Sequence, residues 1–290
     1  MAQCEARRRN SRVTPAASPF RPGGQYFGPL VAVVILSVVA GLGSYYFFGT
    51  GHPVEDELGT AAPASPPPAL VNTAPPTDAP VEELLLPSLD ESDSLVRALV
   101  GALTSHPAFA AWLIPDDLLR TFVFVVQNIA EGNNPTERLT PLRPTQRFTT
   151  TGAGTSLTVD PASYARYNVH AEVVASINPV GAAEIYRSLR PLIRDAYAEL
   201  GHPDGGFDGT LARAIANLLE TPVLERELRL VARAAFHEFE DPAFEDLQPV
   251  QKQLMTMGPR NVRAVQASLV DIARELGIDT SRLPTPEVIR

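Results

Sequence analysis

The chain reads as mainly α: one N-terminal transmembrane helix followed by one compact, mostly helical soluble domain, α+β in detail with a few short strands. Three features predict this. Residues 30–48 hold no charge and no proline. Residues 49–86 are crowded with proline. Beyond them, apolar residues recur at spacings of three and four between Pro and Gly breaks, the signature of packed amphipathic helices. The organisation follows as a basic cytoplasmic tail over 1–27, a transmembrane helix over 28–48, a disordered tether over 49–86, a soluble domain over 87–278 and a flexible tail over 279–290.

The tail carries Arg7, Arg8, Arg9, Arg12 and Arg21 against Glu5 alone, a net of +4. The whole chain is −9, so the remainder carries −13. At about 1.5 Å per residue, the apolar run covers roughly 28 Å, close to the hydrocarbon thickness of a bilayer. Tyr26 and Phe27 stand at one edge and Tyr45 and Tyr46 near the other, as an aromatic belt requires. Arginines before the run and Glu55, Asp56 and Glu57 after it place the N-terminus in the cytoplasm. A cleaved signal peptide would have a shorter apolar run ending in small residues, whereas this one ends in bulky aromatics. Ser37/Gly41 and Ala40/Ser44 have the small-xxx-small spacing that lets two such helices approach, so a homodimer is a possible state. The tether cannot bury enough apolar surface to offset its ordering entropy, and fully extended it would reach on the order of 110 Å.

Within the domain, Ser88 or Asp90 is placed to cap a first helix with Leu95, Leu99 and Leu103 as its core stripe. His106-Pro107 ends it, and Trp112 and Leu113 belong to a short helical segment. Pro115 and two aspartates mark the start of a central helix with Leu118, Phe122, Val126 and Ile129 on one face. Arg147–Thr151 and Ser156–Val159, separated by Gly152-Ala153-Gly154, read as a hairpin. Pro161 opens a helix through Ser163, Tyr164 and Tyr167. Pro179 opens another through Leu200, with Pro191 expected to kink or split it and Gly201 to end it. A further helix follows Gly209. Arg229–Phe239 reads as extended, Leu247–Met257 as helical, and Pro259 to Gly277 brackets the clearest helix of all.

Motifs for chemistry are sparse. The single cysteine, Cys4, lies in the tail, so no internal disulfide can form. His106, His170, His202 and His237 lack the HExxH spacing, and capping or surface roles are expected of them. Asp204 and Asp208 flank glycines without the further oxygens of a calcium loop, so Asp208 reads as a helix cap. Phosphate-binding and nucleophile-elbow motifs are absent, and no cofactor is called for. The acidic balance disfavours nucleic acid as a partner. Asp116/Asp117 and Glu82/Glu83 read as helix-start and tether acids. Tyr164, Arg166 and Tyr167, in PASYARYN, form the candidate binding patch, since Tyr and Arg are favoured in interfaces.

Four segments occur in order: LPSLDESD at 86–93, PASYARYN at 161–168, AYAELGHPDGGFD at 196–208 and QKQLMTMGPRN at 251–261. Together they resemble the bacterial family catalogued as domain of unknown function 3014, across essentially the whole soluble domain. The resemblance implies an N-terminal anchor and a proline-rich linker, and brings no activity or catalytic residues with it. His202 stands where the family pattern has an aromatic such as Tyr. The expectation is therefore a single-pass bacterial inner-membrane protein presenting a non-enzymatic periplasmic binding or scaffold domain. Its partners would be the lipid bilayer through 28–48 and a periplasmic protein or cell-wall component. The alternative is an envelope hydrolase using two carboxylates distant in sequence.

Overall fold

The computed structural model describes residues 86–139, 142–203, 206–233 and 236–290. Residues 1–85, which include the predicted membrane segment with Tyr26, Phe27, Tyr45 and Tyr46 and nearly all of the predicted tether, lie outside the described residues, as does Asp204. Among the described residues no helix is long and apolar enough to cross a membrane. They are helix-rich with a few antiparallel strands, consistent with a mainly α fold.

After a single helical turn at Leu89–Glu91, helix α1 spans Asp93–Gly101 and α2 spans Phe109–Trp112. The buried stripe of α1 is Val96, Leu99 and Val100, Leu103 is buried just beyond its end, and Leu95 is only packed at its margin. Helix α3 runs Leu118–Ala130, three residues later than Pro115 suggested. Asp93 of α1 explains the delay. Its carboxylate accepts the N–H groups of Asp117 and Leu118 at 2.7 and 2.9 Å, so the cap of α3 comes from another helix. Asp117 itself takes a left-handed backbone, φ 57°, at this junction. Arg97, one turn beyond Asp93, donates to the carbonyls of Leu113 and Pro115, both at 2.8 Å, and holds the incoming loop. Leu119, Phe122, Val123, Val125, Val126 and Ile129 are all buried, which makes α3 the central helix.

Strands β1 (Thr150–Ala153) and β2 (Ser156–Val159) form the expected hairpin with a shifted turn. Gly152 and Ala153 belong to β1, and the connection is Gly154-Thr155, with Gly154 at φ 68°. Helix α4 (Pro161–Ala165) stops before α5 (Asn168–Ala175), so Tyr167 sits at a junction instead of inside one helix. Helix α6 (Pro179–Glu199) is one uninterrupted helix despite Pro191. Pro191 lies on the exposed face, where water can serve the carbonyl that loses its N–H partner. Helix α7 spans Phe207–Leu219, β3 Val223–Leu224, β4 Arg229–Ala232 and β5 His237–Phe239. The expected extended stretch is thus a second hairpin, and the sheet order is β1-β2-β4-β5, antiparallel throughout. Helices α8 (Pro242–Glu245), α9 (Pro249–Met255) and α10 (Pro259–Glu275) complete the main body.

Helix α3 packs on α6 and α7, and α10 packs on α5, α6 and α7, enclosing the main core. A smaller core of Val159, Leu224, Leu228, Leu230, Phe244 and Met255 lies under the sheet. Stretch 279–290 is part of the domain: Thr280–Arg282 form a turn, and Val288–Ile289 form β6, parallel to β3.

Candidate functional site

The three residues of the sequence-read patch are brought together, but two of them point inward. Asp160 caps α4 by accepting the N–H of Ala162 at 2.9 Å, and Pro161 takes the first helical position. The buried Ser163 hydroxyl accepts the Thr149 N–H and donates to the Thr149 carbonyl, both at 2.8 Å, stapling the hairpin's approach to this helix. Tyr164 is half-buried, Arg166 is 8% exposed and Tyr167 is fully buried. They do not form the exposed surface that a docking patch needs.

Arg166 donates through Nε to the Ser163 carbonyl at 2.8 Å and through Nη1 to the Gln146 carbonyl at 3.4 Å. Its guanidinium carbon lies 5.3 Å from the Phe148 ring centre and 5.1 Å from that of Tyr167. Burial lowers its pKa, and none of the ion pairs among the described residues includes it. Four residues on, His170 is buried too, contrary to its expected surface place. Its Nε2 reaches the Leu142 carbonyl at 2.9 Å, and its ring stacks on Trp112 at 5.5 Å. Burial pushes its pKa down. Burial pushes the Tyr164 phenol up to about 12, with the charge of Glu227 adding to the shift.

The second partner of this region is segment 251–261. Gln253 donates to the Tyr167 hydroxyl at 3.3 Å and Asn134 reaches Gln253 at 3.5 Å. The Asn261 amide lies 3.1 Å from the Tyr164 carbonyl and 3.1 Å from the Asn168 side chain. Gly258, φ 81°, lies against the Tyr164 ring so closely that an added Cβ would come within 2.5 Å of it. Gln266 donates toward the Leu218, Leu219 and Thr221 carbonyls at 3.1, 3.4 and 2.9 Å, closing the C-terminal end of α7. Asn217 does the same for α3 through the Ile129 and Ala130 carbonyls.

The other two motif segments meet at Arg120. It donates to Glu199 at 2.6 and 2.9 Å, to Asp117 at 3.0 Å and to Asp90 at 2.5 Å. Its hydrogen bond holds Glu199 below the usual carboxylate range. Asp208 is not a cap: Gly206 precedes α7, and Asp208 accepts from the Tyr186 hydroxyl and from Arg190. Among the described residues no group of three His, Cys, Asp or Glu side chains is placed to hold a metal ion. His106 accepts the Ala108 N–H at 3.2 Å, His202 stacks on Tyr197 at 4.6 Å, and His237 meets Phe148 edge-on.

The buried amides of Gln253, Asn261 and Gln266 escaped the sequence reading. Their partners are carbonyls and side chains tens of residues away, and no local spacing announces them. The family model described as "Protein of unknown function (DUF3014)" matches residues 118–273, more than half of the chain. Neither the curated proteins nor the solved structures contain a match to it. Three of the four ordered segments fall inside the matched range, and the chain belongs to the DUF3014 family of proteins of unknown function.

Proposed function

We propose that the domain is a non-catalytic binding or scaffold module, displayed on the periplasmic side of a bacterial inner membrane by the 28–48 helix and the 49–86 tether. One observation supports this reading above others. The four motif segments direct their polar groups at one another and at helix ends: Asp90 and Glu199 at Arg120, Gln253 at Tyr167, Asn261 at Tyr164 and Asn168. Groups committed in this way hold a scaffold in shape, while catalytic groups must face a substrate. The lipid bilayer is the partner of the N-terminal helix, and a periplasmic protein or cell-wall component is the partner of the domain.

The hydrolase alternative has its own specific observation. Carboxylates distant in sequence do converge, with Asp90, Asp117 and Glu199 around one side chain. That side chain is an arginine, which keeps Glu199 ionised, whereas a general acid needs its pKa raised. The binding-module reading is favoured for this reason. Its test is a pair of reporters fused after Arg290 through a flexible linker, one active only outside the inner membrane and one only inside. The linker is needed because Ile289 is paired in β6. Activity of the outward reporter alone is expected, and activity of the inward one would overturn the topology. Turnover of cell-wall polymer by the purified chain, abolished by Glu199→Gln, would replace the module with the hydrolase.

A further inference from the structure

Arg166 is the one arginine among the described residues to be counted as buried. A guanidinium removed from water is costly unless it is paired and its hydrogen bonds are made. Here Nε is satisfied firmly by Ser163 at 2.8 Å, Nη1 weakly by Gln146 at 3.4 Å, and Nη2 is buried with no hydrogen-bond partner among the described residues. The ring contacts with Phe148 and Tyr167 bring attraction to the cation but supply no acceptor for Nη2. The unsatisfied edge is the Nη1–Nη2 pair, the planar fork that matches the two oxygens of a carboxylate. The Nε bond to Ser163 and the flanking rings fix the direction in which that fork points. The surrounding chain is locally basic as well. From residue 138 to residue 170 it carries Arg138, Arg143, Arg147 and Arg166 against Asp160 alone, within a chain of net charge −9.

We propose that the Nη1–Nη2 edge of Arg166 is the binding site for a single carboxylate group, which displaces the weakly held Gln146 carbonyl and supplies the missing counter-charge. This deepens the binding-module reading by naming the chemistry the module recognises. The ligand is a carboxylate and not a phosphate, because two coplanar oxygens match the planar Nη1–Nη2 fork. No covalent bond is made or broken in the step: the Gln146 carbonyl leaves Nη1, and two N–H···O contacts to the carboxylate replace that single long contact.

The chain carries its own reporter. Trp112 is its one tryptophan and stacks on His170, whose ring lies 5.9 Å from that of Tyr167. The test is titration of the full-length protein in neutral detergent with sodium acetate, balanced with sodium chloride to constant ionic strength. The readouts are Trp112 emission and the thermal midpoint. A saturable response with a half-point on the order of millimolar is expected, as suits so small a ligand. Arg166→Met should weaken it at least tenfold, Arg166→Lys should weaken it by removing the fork while keeping the charge, and Arg147→Gln should leave it saturable. An acetate curve no different from chloride in the wild-type chain overturns the site, even if Arg166→Met fails to fold. An equal response in a folded Arg166→Met chain overturns it too, and so does a response to phosphate that exceeds the response to acetate. An inward-facing reporter, in contrast, would overturn the periplasmic display and leave the acetate result standing.

Discussion

The two ends of α3 are held by opposite kinds of chemistry. At the N-terminal end, Asp90, Asp117 and Glu199 gather around Arg120, all partly exposed to water. About 20 Å away, at 1.5 Å per residue over the helix, the C-terminal end is held by a half-buried neutral amide, and buried amides close the elements packed beyond it. There Asn217 closes the α3 carbonyls, Gln253 joins Asn134 to Tyr167, and Gln266 closes α7. Exposed ion pairs are screened by salt and contribute little individually. Buried amides contribute more when removed, because their partners are left without water. The four sequence segments divide in the same way, with 86–93 and 196–208 at the ionic end and 161–168 and 251–261 at the amide end.

Urea unfolding followed by Trp112 emission can break this comparison. The largest effect is expected from Gly258→Val, where the new side chain meets the Tyr164 ring and a backbone of φ 81°. A loss of about 4 kcal/mol follows from strain and overpacking together. Gln266→Leu is next: it leaves the α7 carbonyls unpaired and should lower stability by about 2 kcal/mol. Asp93→Ala removes the borrowed cap of α3 and should lower stability by about 1 kcal/mol, an effect that salt only partly weakens. Arg120→Met should lower it by only about 0.5 kcal/mol, an effect that vanishes in high salt. If Arg120→Met proves as damaging as Gln266→Leu, the contrast between the ends is wrong.

Acid titration sharpens the same contrast. Burial puts the folded pKa of His170 below its ordinary value of 6.5. The unfolded chain therefore takes up this proton first, and stability should fall as pH drops below about 6.5. The folded pKa of Glu199 is lowered from 4.5 by Arg120, so its contribution is present above that value and lost as pH falls through the lower folded one. His170→Gln should flatten the first descent and Glu199→Gln the second, read from unfolding midpoints across the pH series.

Helix α10 was legible because Val262, Val265, Leu269 and Ile272 repeat between Pro259 and Gly277, and those residues are buried. The central role of α3 was legible from apolar residues on more than one face. Its start was not, because the cap is Asp93, a contact 24 residues away. The two-residue strand β6 shows no period, so only its pairing with β3 reveals that the last stretch belongs to the fold. The residue types of the patch suggested binding, but Tyr and Arg are amphipathic and serve a surface or a half-buried seam equally well. Which of the two applied to Arg166 and Tyr167 depended on segments 146–149 and 251–261 folding over them.

The Asp90–Arg120 contact has a mechanical meaning. Leu86 packs against the main core, and four residues later Asp90 is clipped to the first turn of α3. A pull applied from the N-terminal side therefore reaches the central helix almost at once, through a contact that water can break and remake. Under tension the short lead-in 86–93 is the piece to peel first, acting as a fuse ahead of the buried amide end.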